Sequence, residues 1–420
     1  MKKAFLYVSA CERRELDAKR IENYLIRNNY LIVTHPKDAD IIVFIACAVL
    51  DRPTKISLEK IKEFQKYDAE LVVGGCLPAI EPKKLRAVFK GKTIPVEDLN
   101  NNPDKLDEIF PGIKIPFREI EDSNILFQNT DRSKPMETLK TILKNTRIHD
   151  FYYAFRYYVF KKIFGEHVIL YRLLLKESSF QIRTSWGCTG KCSYCAINKA
   201  VGKLKSKTIE ECIKEFKKGL KKGYKHFILT ADNIGAYGLD IGTSFPELLD
   251  ALTLIPGEHD ITVLNLHPAW LVRYIDDIEK IVKRNKILNI DIPIQSGSNR
   301  ILRLMNRYSN IEKIKEACLR LKKANTRLIL GTDCIIGFPT ETLDELRKTL
   351  DLLVEIGFHV GTAIKYSQKT GTKAEEIKPA LTKKEINKRF KFAKKYLRKK
   401  GFSIIHTPHL HYFVFSQKNK

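Results

Sequence analysis

The sequence predicts an α/β protein in which an open parallel-sheet domain is followed by a partial (β/α)6 barrel of the TIM type. Three short apolar runs separated by helical patterns occupy the amino-terminal part, and six strand-like runs alternate with helices after residue 178. The length of 420 residues and the hydrophobic content of 44% suffice for two cores. We expect a first domain at 1–125, a basic aromatic linker or insertion at 126–178, the barrel at 179–400 and a tail at 401–420.

The charge balance narrows the class of partner. Lys and Arg number 75 against 49 Asp and Glu, which leaves a net charge of +26. Such an excess favours a polyanion bound through phosphate contacts, and nucleic acid is the leading candidate. A solvated, lysine-rich surface is the alternative.

The remaining composition argues against secretion and membrane insertion. The first residues lack a long apolar core and a cleavage site, and the most apolar stretch, 151–175, is interrupted by five charged residues. We expect a cytoplasmic protein with no membrane partner. In a reducing compartment the nine cysteines are then interpreted as ligands or core residues and not as disulfides.

In the first domain, three predicted strands each end in a cysteine. KAFLYVSAC, DADIIVFIAC and AELVVGGC end at Cys11, Cys47 and Cys76, and helices are predicted over 12–29 and from about 55 to 67. Carboxyl ends of parallel strands share one edge of a sheet, so the three thiols meet there. Three thiolates suit an iron-sulfur cubane with one open iron, whereas structural zinc normally has four protein ligands. The alternative is that each cysteine simply packs at a strand end.

A second triad lies in the loop WGCTGKCSYC, which follows the predicted strand SFQIRTSW. Cys188, Cys192 and Cys195 have the spacing C-x3-C-x2-C, which surrounds one 4Fe-4S cluster and offers no fourth ligand nearby. A zinc knuckle is the alternative. Five more strand runs follow, HFILTAD, ITVLNLH, LNIDIPIQ, LILGTDCIIG and VGTAIKYS, and the loops at their carboxyl ends are expected to build the active site.

The C-x3-C-x2-C spacing resembles that of the radical S-adenosylmethionine superfamily, in which the cofactor occupies the open iron. Together with TADNIGAYGLDIGT, DIPIQSGSNRILRLMNR, IIGFPTET and YSQKTGT, it resembles the radical S-adenosylmethionine methylthiotransferases in order and spacing. Cys11 with Asp17, Cys47 in ACAVLDRPT and Cys76 in GGCLP are similar to the ligand positions of that family's auxiliary cluster. TADNIGAYGLDIGT is most similar to the branch that acts on N6-threonylcarbamoyladenosine.

The resemblance implies the chemistry and the partners. It implies insertion of a methylthio group at carbon 2 of N6-threonylcarbamoyladenosine beside the tRNA anticodon, with two 4Fe-4S clusters, S-adenosylmethionine and an electron donor such as a ferredoxin or a flavodoxin. The cluster on Cys188, Cys192 and Cys195 would generate the radical, and the cluster on the amino-terminal triad would hold the incoming sulfur.

Five further residues are candidate cofactor contacts. Tyr194 lies between two ligands and is placed to line the adenine side of the cofactor, whereas the other four lie at strand ends: Asp232, Asn233, Gln295 and Ser296. Ordinary turn and capping polarity is the alternative for each of those four.

The sequence also departs from the family. Arg14 stands where asparagine is usual, Val201 replaces an arginine, YSQKTGTKA replaces a proline-rich stretch, and 401–420 leaves no room for the usual TRAM barrel. The segment 147–176 either contacts anticodon-loop bases and phosphates or covers the open barrel, and the basic stretch KKEINKRFKFAKKYLRKKG either binds phosphate or is a solvated end.

These departures keep two other functions open. A methylthiotransferase acting on a protein or peptide is one alternative, and a catalytically silent iron-sulfur protein that binds RNA is the other. Three cysteines without a partner at ligand spacing are interpreted as core residues, namely Cys212, Cys318 and Cys334.

Overall fold

A computed structural model of the chain describes residues 1–129, 179–406 and 411–417. Two compact units are present. The first comprises the amino-terminal residues together with Ala196–Lys203, and the second comprises the cysteine loop up to Cys195 and the chain from Leu204 onward. The predicted linker or insertion 126–178 and the stretch 151–175 lie outside the described residues, apart from residues 126–129.

The first unit is built on a five-stranded, wholly parallel sheet with the order β2-β1-β3-β4-β5. The strands are β1 (Lys3–Ser9), β2 (Leu31–Ile32), β3 (Ile41–Ala46), β4 (Glu70–Gly75) and β5 (Thr93–Pro95). The helices are α1 (Glu12–Arg27), α2 (Asp51–Phe64), α3 (Leu77–Ile80), α4 (Pro82–Arg86), α5 (Val96–Asn101) and α6 (Asp104–Asp107). The three predicted strands are confirmed, and β2 and β5 are short edge strands that the sequence pattern did not predict.

The amphipathic pattern after Cys11 folds as expected. In α1 the side chains of Leu16, Ile21 and Leu25 are fully buried against the sheet. The helix starts directly after Cys11, with Glu12 and Glu15 in its first turn, where carboxylates oppose the positive end of the helix dipole.

The second unit contains a nine-stranded sheet with the order β13-β14-β12-β11-β10-β9-β8-β6-β7. Its strands are β6 (Phe180–Trp186), β7 (Lys205–Ser206), β8 (His226–Ala231), β9 (Asp260–Val263), β10 (Ile287–Asp291), β11 (Ile329–Ile336), β12 (Val360–Lys365), β13 (Phe402–Ile405) and β14 (Tyr412–Gln417). The run from β6 to β12 without β7 is parallel throughout, which confirms the six predicted strands of the partial barrel.

Helices connect these strands. They are α8 (Ile209–Lys221), α9 (Phe245–Thr253), α10 (Pro268–Arg273), α11 (Ile275–Val282), α12 (Asn299–Leu304), α13 (Ile311–Ala324), α14 (Leu343–Ile356) and α15 (Lys383–Lys399). The short α7 (Asn198–Val201) belongs to the first unit, where Val201 is buried. Cys212, Cys318 and Cys334 are fully buried in the core, as the sequence indicated.

The segment 401–420 contains more structure than the sequence predicted. Strand β14 pairs antiparallel with β12, and β13 pairs antiparallel with β14. The apolar residues Phe402, Phe413 and Phe415 are buried in the main core, which explains why this stretch forms strands. In the described part of the chain, no helix is long and apolar enough to cross a bilayer.

Candidate functional site

The three amino-terminal cysteines lie at one edge of the first sheet because the strand register places them there. Ser9 pairs with Ala46, and Ala46 pairs with Gly75, across β1, β3 and β4. Cys47 and Cys76 directly follow the paired residues, and Cys11 comes two residues after Ser9. Neighbouring strands lie about 4.8 Å apart, so this register brings the three cysteines to adjacent positions.

Gly75 allows two strands of the first sheet to approach each other closely. At Gly75 the backbone has φ +90°, and a Cβ atom would lie 2.5 Å from the carbonyl oxygen of Ala46. The absent side chain therefore permits close approach of β3 and β4 immediately before Cys76.

Arg14 is buried beside the first cysteine. It lies in the first turn of α1, and its Nε is 2.9 Å from Oδ2 of Asp17, with both side chains almost inaccessible to solvent. A buried guanidinium is stable only with a charge partner, which Asp17 supplies. The departure from asparagine at this position thus introduces a buried ion pair next to the amino-terminal triad.

The second triad lies in the loop that follows β6, and the first part of that loop is fixed by the strand ends. Gly187, at φ +80°, donates its N–H to Oδ2 of Asp232 at 3.2 Å. Asn233 donates its side-chain amide to Oγ1 of Thr189 at 3.1 Å. Asp232 and Asn233 follow β8, so the two residues predicted from their strand-end position do lie against the cysteine loop.

The second part of the loop is bound to the segment that ends α12. The backbone N–H of Ser193 donates to the carbonyl of Met305 at 2.9 Å, and its hydroxyl donates to the carbonyl of Leu304 at 2.7 Å. Asn306 donates its amide to the carbonyl of Lys191 at 2.8 Å. These bonds fix the backbone on both sides of Cys192.

Arg307 is a site residue that the sequence analysis did not assign. Its guanidinium lies 3.5 Å from Sγ of Cys192 and 3.4 Å from the hydroxyl of Tyr194, and it donates to the carbonyl of Pro293 at 2.5 Å. Burial lowers the pKa of Arg307, but Tyr194 and Cys192 raise it more, so the pKa is above its ordinary value and the positive charge persists. Its position at the end of the motif DIPIQSGSNRILRLMNR was the available signal.

Tyr194 and His267, two neighbours of Arg307, are uncharged near neutral pH. Burial raises the pKa of Tyr194, whose ring packs edge-on against Phe338 with centroids 6.5 Å apart. Burial and then the charge of Arg307 lower the pKa of His267 to about 2. His267 accepts a hydrogen bond from the N–H of Ala269 at 3.1 Å and begins α10. Arg307 therefore supplies the positive charge beside Cys192.

The strands of the second sheet bury polar side chains on the face opposite the helices. Ile182, Leu229 and Ile290 pack in the main core with the helices, whereas residues that alternate with them are polar. The buried polar residues are Gln181, Arg183, Ser185, Thr230, Thr262, Asn289 and Asp291. Among the described residues, the side-chain oxygens of Ser185, Thr230 and Asn289 have no hydrogen-bond partner. Such a face is suited to a polar ligand.

The residues predicted to contact the cofactor differ in whether their side-chain polar atoms have hydrogen-bond partners within the protein. The side-chain oxygens of Asn233 and Gln295 are buried, and neither has a partner in the part of the chain that the structure describes. Gln295 also adopts φ +68°, and it forms an isolated parallel β-bridge with Cys334. Ser296, by contrast, accepts from the N–H of Ser298 at 3.2 Å and lies 3.4 Å from the hydroxyl of Thr349. Asn233 and Gln295 therefore remain available to a ligand, whereas the Ser296 hydroxyl has a structural role.

The donor set fits the groups that the resemblance implies. The thiols of Cys11, Cys47 and the three loop cysteines are at least partly exposed, and the thiol of Cys76 is buried. Within residues 1–129, 179–406 and 411–417, no three His, Cys, Asp or Glu side chains converge on a single metal ion. Thiols at C-x3-C-x2-C spacing next to unsatisfied amide oxygens suit a cluster with a polar, amino-acid-like ligand.

Comparisons with known families agree with this arrangement. Residues 182–353 match the model of the Radical SAM superfamily. Residues 3–95 match a family described as Uncharacterized protein family UPF0004. The UPF0004 match spans the strands of the first sheet, the Radical SAM match spans most of β6 and the strands up to β11, and together they include all six cysteines of the triads.

Curated relatives are similar over nearly the whole chain. A protein of Pyrococcus horikoshii, named probable threonylcarbamoyladenosine tRNA methylthiotransferase, is 27% identical over 97% of this chain and 89% of its own length. A Clostridium botulinum protein, named tRNA-2-methylthio-N(6)-dimethylallyladenosine synthase, is 27% identical over 92% of this chain and 79% of its own.

Solved structures share the fold. The radical S-adenosylmethionine methyltransferase TsrM from Kitasatospora setae superposes with a TM-score of 0.56 at 12% identity, over 86% of this chain and 73% of its own. The cobalamin-dependent enzyme OxsB gives a TM-score of 0.52 at 14% identity, over 95% of this chain and 56% of its own. With its homologues and its two matched domains, the chain belongs to the radical S-adenosylmethionine methylthiotransferase family and is an enzyme of the transferase class.

Proposed function

We propose that this enzyme transfers a methylthio group to carbon 2 of N6-threonylcarbamoyladenosine next to the anticodon of tRNA, in the cytoplasm. The observation that carries the proposal is the presence of two cysteine triads, each at the carboxyl ends of parallel strands. The similarity of TADNIGAYGLDIGT to one branch of the family, and the name of the Pyrococcus horikoshii relative, support the choice of substrate.

The central triad would hold the cluster that binds S-adenosylmethionine. When bound, these groups supply a deoxyadenosyl radical that abstracts hydrogen. The protein positions the loop: Asp232 and Asn233 fix its start, and Arg307 holds Cys192 and Tyr194. The unsatisfied oxygens of Asn233 and Gln295 would accept hydrogen bonds from the cofactor.

The amino-terminal triad would hold the second 4Fe-4S cluster. Cys11, Cys47 and Cys76 would hold this cluster by three thiolates, and the cluster would supply an iron with no protein ligand for the incoming sulfur. The ion pair of Arg14 and Asp17 keeps a guanidinium buried beside this triad. The proposed reaction uses two molecules of S-adenosylmethionine per turnover. One supplies the methyl group and the other supplies the radical.

Two partners follow from this chemistry. The radical step requires one electron from outside, for which a ferredoxin or a flavodoxin is a suitable donor. The substrate is a polyanion, and the net charge of +26 favours its binding through phosphate contacts.

The decisive experiment compares tRNA nucleosides by mass spectrometry in cells that lack this gene, in the parent, and in cells complemented with the wild type or Cys188→Ala. We expect the deletion and the Cys188→Ala strain to lose 2-methylthio-N6-threonylcarbamoyladenosine and to accumulate its precursor. Loss of a methylthiolated dimethylallyladenosine would instead favour the activity named for the Clostridium relative. An unchanged profile would contradict a tRNA substrate and favour a protein or peptide.

A further inference from the structure

The solvent-facing side of α15 is a continuous basic surface. Six cationic residues recur at intervals of three or four along the helix, namely Lys384, Lys388, Lys391, Lys395, Arg398 and Lys399. All six are exposed. Because residues three and four apart share one face of a helix, these side chains form a single stripe, which we call the α15 stripe. From Lys384 to Arg398 it is about 21 Å long at about 1.5 Å per residue.

The α15 stripe has little acidic compensation among the described residues, where Glu385 in the first turn of α15 interacts with Lys388 but is also held by the cap at Thr382. None of its six residues forms a salt bridge with a carboxylate among the described residues. Other basic residues of the same unit are paired: Lys315 with Glu355, and Arg320 with Asp276 and Glu279. On α8 the lysines alternate with Glu210, Glu211 and Glu215. The stripe is therefore a region of largely uncompensated positive charge.

Mutual repulsion at the stripe is visible in a neighbouring lysine. Lys394 lies beside the stripe, and its pKa is lowered first by burial and then by the charges of Arg398 and Lys391. Bound anions would relieve this repulsion.

The helix is fixed close to the carboxyl ends of the barrel strands. Arg389 binds both the backbone carbonyl and the carboxylate of Glu341, in the loop that follows β11. Ile386 packs over Gly337, where a Cβ atom would lie 2.7 Å from its Cγ1 atom. Lys365, the last residue of β12, donates to the side chain of Asn387 at 2.7 Å. The amino-terminal half of the stripe therefore starts at the edge of the second sheet where the cysteine loop also lies.

The opposite face of α15 is already occupied by the protein core. Phe390, Ala393 and Leu397 are buried in the main cluster. A helix that binds a lipid surface needs an apolar face to insert, and α15 has none left for that purpose. Charge without a free apolar face fits a phosphate backbone.

We propose that the α15 stripe binds phosphates of the RNA substrate and holds it across the carboxyl-terminal edge of the second sheet. This proposal rests on the proposed function, and it assigns the RNA contact to a surface of the second unit. Phosphate contacts by lysine carry no base specificity, so the stripe contributes affinity and orientation.

The test measures binding of purified bulk tRNA to the anaerobically reconstituted full chain as a function of salt. One variant carries Lys→Gln at Lys384, Lys388, Lys391 and Lys395. The matched control removes the same number of charges from α8, at positions 214, 217, 221 and 222. Because each lost phosphate contact removes about 0.7 to 0.9 from the slope of log affinity against log salt, we expect loss of four contacts to lower the slope by about 3 to 4. If the affinity at ~1 M salt is unchanged, binding at ~0.1 M salt should then weaken on the order of 1,000-fold.

The control should bind within about twofold of the wild type, and both variants should melt at the wild-type temperature. If both variants bound tRNA equally weakly, the loss of affinity would depend only on net charge, and the proposal would be wrong. Unchanged binding of tRNA by the α15 variant would also overturn it. The same variants are titrated with phosphatidylglycerol vesicles, and a stripe-dependent vesicle interaction without an effect on tRNA would assign the surface to lipid. Binding is read independently of modification, so an unchanged nucleoside profile in the deletion strain would reject the proposed function separately.

Discussion

The two cysteine triads are held in different ways. Cys11, Cys47 and Cys76 come from three separate strands, and their proximity depends on the register of β1, β3 and β4. Cys188, Cys192 and Cys195 lie in one loop. Hydrogen bonds with Asp232 and Asn233, and with the segment 304–307, fix that loop to a neighbouring strand end and a helix end. The first triad requires the fold of a whole sheet, whereas the second requires a local network.

This difference predicts how substitutions disturb the arrangement of the cysteines in each triad. A change that disturbs strand pairing affects the first triad as a unit. A change in a single hydrogen bond loosens part of the second triad and leaves the others in place. Iron content and activity measured together can distinguish the two cases.

The largest effect is expected from replacing whole triads. Alanine at Cys188, Cys192 and Cys195 should remove about four of about eight irons and abolish both cleavage of S-adenosylmethionine and methylthiolation. Alanine at Cys11, Cys47 and Cys76 should also remove about four irons but leave cofactor cleavage to deoxyadenosine intact. Iron analysis and chromatography of deoxyadenosine measure both. If either triple variant retained the full iron content, that triad would not be a cluster site.

A smaller effect is expected from Gly75→Val, which disturbs the pairing of β3 and β4 without removing a cysteine. The new Cβ atom would meet the Ala46 backbone at 2.5 Å with φ +90°, and such strain costs about 1 to 3 kcal/mol or more. We expect loss of the amino-terminal cluster and a lower unfolding temperature, with the central cluster retained. Gly112→Val is the matched control, since Gly112 also has positive φ, +77°, but nothing lies within 4 Å. Equal iron loss in both variants would contradict the role of close strand approach.

Arg307→Gln tests the local network at the second triad. The substitution removes the positive charge near Cys192 and Tyr194, and charge-assisted hydrogen bonds contribute about 1.5 to 3 kcal/mol. We expect a decrease of about 10- to 100-fold in the rate of cofactor cleavage, with the iron content nearly unchanged and a shifted reduction potential of the central cluster. The exposed Arg303 on α12 provides the control, and a similar decrease in Arg303→Gln would show that the effect is not local to Cys192.

The smallest effect concerns Glu341, which contacts neither triad. Burial raises the pKa of this carboxyl to about 7 from 4.5, although Gly337 and Arg389 act in the opposite direction. The folded chain therefore binds the proton more tightly than the unfolded chain, so this contribution to stability is complete below pH 4.5 and is lost as the pH rises through about 7.

Glu341→Gln removes that titration. Relative to the wild type, the variant should gain on the order of 2 kcal/mol in unfolding free energy between pH 4.5 and pH 8. Denaturant unfolding at several pH values measures it, with the exposed Glu312→Gln as control. A stability difference that does not change with pH would contradict the raised pKa. Iron content should stay constant, which separates a stability effect from a cluster effect.

Much of the fold was predictable because buried parallel strands form continuous apolar runs. The runs ending at Ala46 and Gly75 are of this kind. The barrel strands carry polar residues on one face but are still short runs rich in apolar residues, and the helices between them show the 3.6-residue period. The edge strands β2 and β5 are too short to produce a pattern. The strands β13 and β14 follow a strongly basic helix, and their apolar residues indicate a structure only once the open edge of β12 is known.

The candidate site was predictable where chemistry depends on residue type and spacing. The six cysteines were proposed as ligands for this reason, and Asp232 and Asn233 were proposed because they follow a strand. All of these assignments stay predictions. Arg307 was not proposed, because its role depends on the chain returning from α12 to the cysteine loop, and that contact spans 115 residues. The cofactor contact of Ser296 stays a prediction, but the strand-end position of this residue gave no sign that its hydroxyl already contacts Ser298 and Thr349.

The two borders of the nine-stranded sheet have a consequence for solubility. Six parallel strands without further pairing would present backbone donors and acceptors on both sides, and such exposed edges promote intermolecular pairing and aggregation. Here a two-residue antiparallel strand, β7, covers β6 on one side, and the antiparallel hairpin of β14 and β13 covers β12 on the other. The outermost strands, β7 and β13, are thus short and antiparallel to their immediate neighbours β6 and β14, which limits the templating of another copy of the chain at either border.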